Sequence, residues 1–129
     1  MSEISYNQRD KEERAMIMTM KLAEKPFRAI KEGRKTIEMR LYDEKRKHLS
    51  AGDIIEFINL DNKEEVVQTK VLAIHIYSSF AELYTNFSKK EMGYGDDEVA
   101  DPKDMEKYFP LEKQQKYGAV VGIEIELLK

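Results

Sequence analysis

The sequence predicts an α+β fold: a small, bent, mixed β-barrel with short helices closing its openings. Three observations lead there. The candidate strands are short and several are rich in β-branched residues. The elements run strand, helix, strand, strand, strand, helices, strand, without βαβ alternation. And 129 residues suit one domain with one proper core.

Taken in order, residues 1–15, "MSEISYNQRDKEERA", carry little apolar content and are expected to form a flexible tail, frayed or partly helical. The single domain then occupies residues 16–129. "MIMTMKL" (Met16–Leu22) is the first strand. "KPFRAIKEG" follows as a short helix: Pro26 suits the first turn, Phe27 and Ile30 share a face, and Gly33 can take a left-handed cap. A charged second strand comes next, then a turn at Ala51–Asp53 and a strand from Ile54 to Ile58. "NLDNKEE" reads as a turn and "VVQTKVLAIHIY" as a long strand. Ser79 and Glu82 have capping-box spacing ahead of Phe80, Leu83, Tyr84 and Phe87, which recur with helical period. "EMGYGDDEVADPKD" is a loop. Asp101-Pro102 opens a helix that carries Met105, Tyr108 and Phe109 inward, and Pro110 starts another that ends at Tyr117-Gly118. "AVVGIEIELL" closes the domain as a buried strand with Glu124 and Glu126 on its wet face.

Composition narrows the function classes. The chain has no cysteine, which excludes disulfides, thiolate metal sites and a Cys nucleophile. Two histidines far apart in sequence, His48 and His75, do not suggest a zinc site, and no cofactor is expected. No apolar run approaches a membrane span and the N-terminus is too polar for a signal peptide, so a cytoplasmic protein is expected. Net charge is −3, against bulk polyanion binding, but it is unevenly spread. Lys25 to His48 holds nine Lys/Arg and four Asp/Glu; Glu91 to Glu106 holds seven Asp/Glu and one Lys. The first stretch is either a basic patch fit for phosphate or a solvated surface.

The second strand carries the chemistry. Eight of the fourteen residues in "GRKTIEMRLYDEKR" are charged. Alternation puts Thr36, Glu38, Arg40 and Tyr42 on one face and Ile37, Met39 and Leu41 on the other, with Lys35 able to swing to either side. The second face is core-facing; the first has the composition of a polar slot or of a surface ion pair.

The run "KPFRAIKEGRKTIEMRLYDEKRKHLSAGDIIEF" resembles the signature of ASCH domains, a branch of the PUA-like β-barrel superfamily. Gly33, Lys35, Glu38 and Arg40 fill its Gly-x-Lys-x-x-Glu-x-Arg motif, and Gly52-Asp53 supplies its turn. "KYGAVVGIEIEL" is similar to the closing strand. The resemblance runs from about Met18 to Leu127. It implies a cleft beside the barrel for RNA or a modified nucleoside or nucleotide. Lys35 would then contact a ligand oxygen, and Arg40 would grip a phosphate or carboxylate through its planar fork. Glu38 would orient those cations, or act as a general base if burial raises its pKa. Lys45 and Arg46 would add phosphate contacts, and Tyr42 or Tyr117 would stack on a base.

Binding of RNA or a nucleotide is the function this implies. A metal-independent hydrolase, with Lys35 and Glu38 catalytic, is the alternative. Some small bacterial ASCH proteins remove acetyl from N4-acetylcytidine, but their threonine nucleophile is replaced here by Glu38. Their activating lysine matches Lys35, and a distant glutamate aligns loosely with Glu91. Thr36 lies about 7 Å along the strand from the required position. Ribonuclease chemistry would draw its acid and base from Glu38, Tyr42 or His48, with Lys35 and Arg40 as cations. His48 is expected at the surface and His75 against the sheet, with no catalytic role assigned to either.

Overall fold

The computed structural model describes residues 15–129 and, of the segment before them, the backbone of residues 4–6. Among the described residues six strands form one mixed sheet: β1 (Ile4–Tyr6), β2 (Met16–Leu22), β3 (Ile37–Leu41), β4 (Ile54–Asn59), β5 (Asn62–Tyr77) and β6 (Val120–Leu127). Their order across the sheet is β1-β2-β4-β5-β6-β3, and the sheet curls into a half-barrel. Helices α1 (Glu24–Lys31), α2 (Phe80–Tyr84) and α3 (Leu111–Tyr117), with 3₁₀ turns at Arg46–His48 and Pro102–Lys107, complete the domain.

Ile4–Tyr6 differ from the expected frayed or partly helical tail: they pair antiparallel with β2, Ser5 opposite Ile17. The rest of that expectation, on residues 1–3 and 7–14, lies outside the described residues.

β2 and β4 are parallel, because α1 and β3 intervene and return the chain in the same direction. The expected turn 59–65 is shorter than read. Asn59 already pairs with Asn62, so only Leu60 and Asp61 form the hairpin tip and β5 begins at once. β5 serves two neighbours: it pairs with β4 up to Lys70 and with β6 from Thr69 to Tyr77. A register shift between Val71 and Ala73 bends it between those tasks.

The apolar residues sort into two clusters. Inside the curl lie Met18, Met20, Phe27, Ile30, Ile55, Phe57 and Ile123. Outside the β3–β6 end, Ile37, Met39, Leu41, Phe80, Leu83, Met105 and Val120 pack together. Gly122 permits the second cluster, since a Cβ there would stand 3.2 Å from the Phe87 ring and 3.4 Å from Ile37 and Leu83. β3 is therefore buried on both faces. Its apolar side faces the outer cluster, while Glu38 and Arg40 pair with Ile123 and Val121 and share the inner side of the sheet.

Polar side chains fasten the corners. Asp53 accepts from Met16 N at 3.0 Å and Ser50 N at 2.8 Å, which gives the Gly52-Asp53 turn a bracing role. The α1 N-cap, Ala23, offers no side-chain bond, so Asp61 from the hairpin tip accepts from Glu24 N at 2.8 Å instead.

Candidate functional site

A cleft of about 640 Å³ opens where the β2–α1 corner, the start of β3 and the segment 92–109 converge. That volume falls within the roughly 300–1,000 Å³ usual for small-molecule sites. Lys35, Glu38 and Arg40 line it together.

These three form one bonded unit. Arg40 Nε donates to Glu38 Oε2 at 2.7 Å, and Lys35 Nζ stands 3.4 Å from Glu38 Oε1. Lys35 also donates to Met92 O at 3.2 Å, and Arg40 Nη2 donates to Lys21 O at 3.1 Å, tying β3 to the end of β2. Side-chain exposure is 6% for Lys35, 3% for Glu38 and 15% for Arg40. Burial pushes the Glu38 carboxyl up, but Arg40 and Lys35 outweigh it and hold the group below the usual carboxylate value. The condition for Glu38 as a general base is thus not met: it is a charge partner for two cations. Burial lowers the Lys35 ammonium more than Glu38 raises it, so its proton is held less firmly than usual.

Gly93 explains why Lys35 lies where it does. At φ +98°, where L side chains are strained, its absent Cβ would come within 2.9 Å of Lys35 Cδ. The neighbouring Glu91 O accepts from Thr36 N and Ile37 N at 2.9 and 3.0 Å. Segment 91–93 thereby runs against the entry to β3 and presses the lysine stem into the cleft wall.

The other walls were not anticipated. Tyr84, Tyr94, Tyr108 and Phe109 line the cleft, along with Lys21, Lys25, Lys107, Glu98 and Asp104. Phe109 stacks on Phe80 at 5.9 Å, which anchors it. Tyr108, expected to point inward, is 51% exposed at the cleft: the 3₁₀ turn Pro102–Lys107 buries Met105, and Tyr108 comes after its end. Tyr84 and Tyr94 hydroxyls are 2.8 Å apart, and Tyr94 donates to Asp104 Oδ2 at 2.8 Å. Burial, reinforced by those two contacts, raises the Tyr94 pKa, so it remains a donor. Lys25 and Glu98 pair across the cleft, joining α1 to the acidic loop.

The basic and acidic stretches of the sequence therefore meet at one site. Within the basic stretch most charges are matched: Arg28 and Lys31 with Glu65, Arg34 with Glu32, Arg46 with Asp43, Lys47 with Glu44. At the cleft itself, among the described residues, five cationic side chains meet three carboxylates.

The remaining candidates lie elsewhere. Tyr42 packs against the inner core beneath Lys47, and Tyr117 sits on α3 beside Lys116, neither lining the cleft. Lys45 and Arg46 do not line it either. Arg46 is buried, held by Asp43 at 3.2 Å, with its Nε unbonded among the described residues. Thr36 borders a separate depression with Glu91 and Glu124, because the chain enters regular β-structure only at Ile37. Glu91 uses its carboxylate to accept from Ser88 N at 2.8 Å. His48 is exposed, and His75 bonds Glu124 at 3.0 Å with its ring edge-on to Phe87. Among the described residues, no group of three His, Cys, Asp or Glu is placed to hold a metal, and no helix is long and apolar enough to cross a membrane.

Comparison with known proteins places the fold. The model of the ASCH domain matches residues 20–129. Among solved structures, hypothetical protein PH0355 is 35% identical, with 85% of this chain and 97% of that one covered and a TM-score of 0.68. Protein PF0455 from Pyrococcus furiosus is also 35% identical, covering 88% and 99% with a TM-score of 0.66. ASCH from Zymomonas mobilis shares the fold at 14% identity, covering 85% and 66% with a TM-score of 0.62. No curated protein matches the chain.

Proposed function

The chain belongs to the ASCH domain family, a fold of RNA-binding type, and from that premise we propose that its cleft binds one nucleotide unit, free or within single-stranded RNA. The observation that carries this reading is the pairing of a cationic floor with an exposed aromatic at the same cleft. Arg40 leaves Nη1 without a partner among the described residues, and Lys35 retains a third N–H beyond Met92 O and Glu38. Both would meet phosphate oxygens. Tyr108 is half-exposed at the cleft with Lys107 Nζ 5.3 Å from its ring centroid, and a base would stack on the other face of the ring. The matched charges across the basic stretch favour a single-unit site over a long RNA track.

Calorimetric titration with nucleoside monophosphates and the parent nucleosides tests this. Phosphate-dependent binding that weakens in Lys35→Ala and Arg40→Ala is expected. Equal heats for both variants and wild type, or none for any nucleotide, would overturn it.

A second reading, metal-independent hydrolysis of a modified nucleoside amide, draws support from the weakened hold of Lys35 on its proton. Water, giving a proton to the neutral amine, would attack the amide carbon, and the departing amine would take that proton up. Glu38, engaged by two cations, is no substitute for a hydroxyl nucleophile. Incubation with pooled modified nucleosides in EDTA, read by mass spectrometry, separates the readings: a product lost in Lys35→Ala means turnover.

A further inference from the structure

We propose that Asp104 is a specificity-determining residue, selecting nucleotides whose base carries an exocyclic amino group and rejecting uracil. This rests on the nucleotide reading of the cleft and adds the base it takes.

Among the described residues three carboxylates line the cleft, and two have both oxygens engaged. Glu38 faces Arg40 with one oxygen and Lys35 with the other. Glu98 pairs Oε2 with Lys25 and accepts from Gly95 N through Oε1 at 2.7 Å. Asp104 differs. Its Oδ2 accepts from Tyr94 OH at 2.8 Å, while Oδ1 has no partner among the described residues. Tyr94 donates to Asp104, so it must accept from Tyr84, and the chain of hydroxyls runs one way: Tyr84 to Tyr94 to Asp104. The carboxylate is thus oriented by a relay of two tyrosines in the cleft wall, with one acceptor oxygen left for a ligand.

An acceptor-only group favours a donor and repels another acceptor. Cytosine and adenine present an amino group on the pairing edge, and guanine presents one beside a ring N–H. Uracil flanks its single N–H with two carbonyl oxygens, which a carboxylate would repel. With phosphate at Arg40 and Lys35 and the ring against Tyr108, the Asp104 acceptor is a feature of this wall that distinguishes these bases. Tyr94 acts through Asp104 and is a positioning residue.

The test is calorimetric titration of wild type, Asp104→Asn and Tyr94→Phe with CMP, AMP, GMP and UMP. Wild type should bind CMP at least about 10-fold tighter than UMP, as for a hydrogen bond to a charged group. In Asp104→Asn the amide oxygen takes the Tyr94 proton and the amide nitrogen replaces the unbonded oxygen, turning acceptor into donor. The CMP-to-UMP ratio should fall to near one or invert, with phosphate-dependent affinity retained. Tyr94→Phe should narrow the ratio without inverting it. Equal binding of all four by wild type, or an unchanged ratio in Asp104→Asn, overturns the inference and leaves nucleotide binding standing. Binding of none overturns both.

Discussion

Arg40 and Glu38 bond through Nε and Oε2 at 2.7 Å on the inner side of a strand that is buried on both faces. With Lys35 3.4 Å from the other oxygen, a carboxylate only 3% exposed carries two cations. The pairing is obligatory, because a lone buried charge is costly whereas a fully paired one is tolerated.

Glu38→Gln should therefore destabilise the fold by about 3–5 kcal/mol, since it strands a buried ammonium. Arg34→Ala, which breaks an exposed pair with Glu32, should cost less than about 1 kcal/mol. Urea denaturation of both variants checks the contrast, and equal losses would contradict it.

Acid should weaken the folded state through a defined window. Hydrogen bonds from Arg28 and Lys31 hold Glu65 down at about 2, against an ordinary 4.5, and Glu38 is also lowered. As pH falls from 4.5 toward 2, the unfolded chain binds protons that the folded chain refuses. Stability is then fully present above the ordinary value and lost on the way down. The urea midpoint should fall across that range, less steeply in Glu65→Gln. A midpoint independent of pH would contradict the pairing.

Gly93→Ala combines strain with displacement. An L residue at φ +98° is unfavourable, and its Cβ would meet Lys35 Cδ at 2.9 Å. A stability loss of about 1–3 kcal/mol is expected, with a loss of nucleotide affinity as Lys35 shifts. Retained affinity in a folded variant would show that the lysine tolerates another position.

Salt dependence separates the arginines. If Arg40 meets phosphate, Arg40→Ala should reduce the slope of log affinity against log salt by about one. Arg46 is buried on Asp43 and does not line the cleft, although Arg40 and Glu38 are near enough to act on its charge, so Arg46→Ala should lower stability and leave the slope unchanged. A reduced slope in Arg46→Ala would instead place phosphate near it.

Tyr108→Ala should weaken nucleotide binding by about 1–3 kcal/mol, the usual worth of a stacked base. Its 51% exposure predicts little change in thermal midpoint. Tyr117→Ala, outside the cleft, should change neither. Loss of affinity in Tyr117→Ala alone would relocate the stacking platform.

Much of the domain follows from local pattern. The alternation of Met16, Met18, Met20 and Leu22 predicts β2, Ser79 caps α2 by accepting from Glu82 N at 3.1 Å, and Gly33 and Gly118 take left-handed conformations after their helices. Such features depend on neighbours a few residues apart, where side-chain period and capping chemistry act directly. The concentration of Lys35, Glu38 and Arg40 at the entry to and within one strand was legible for the same reason.

The sequence by itself determined the strand and helix periods, the glycine turns at Gly33, Gly52 and Gly118 and the cationic motif, because each is a property of contiguous residues. Only the tertiary structure decided what surrounds that motif. Tyr94, Asp104 and Tyr108 come to the cleft from 50 or more residues downstream of Arg40, brought there by the chain's return over the β3–β6 end. The fold likewise turned the basic stretch into matched ion pairs, through partners such as Glu65 and Glu98 that lie far away in sequence. Charge acts through space and strand period acts along the chain, so the local pattern could reveal the site's floor but not its walls.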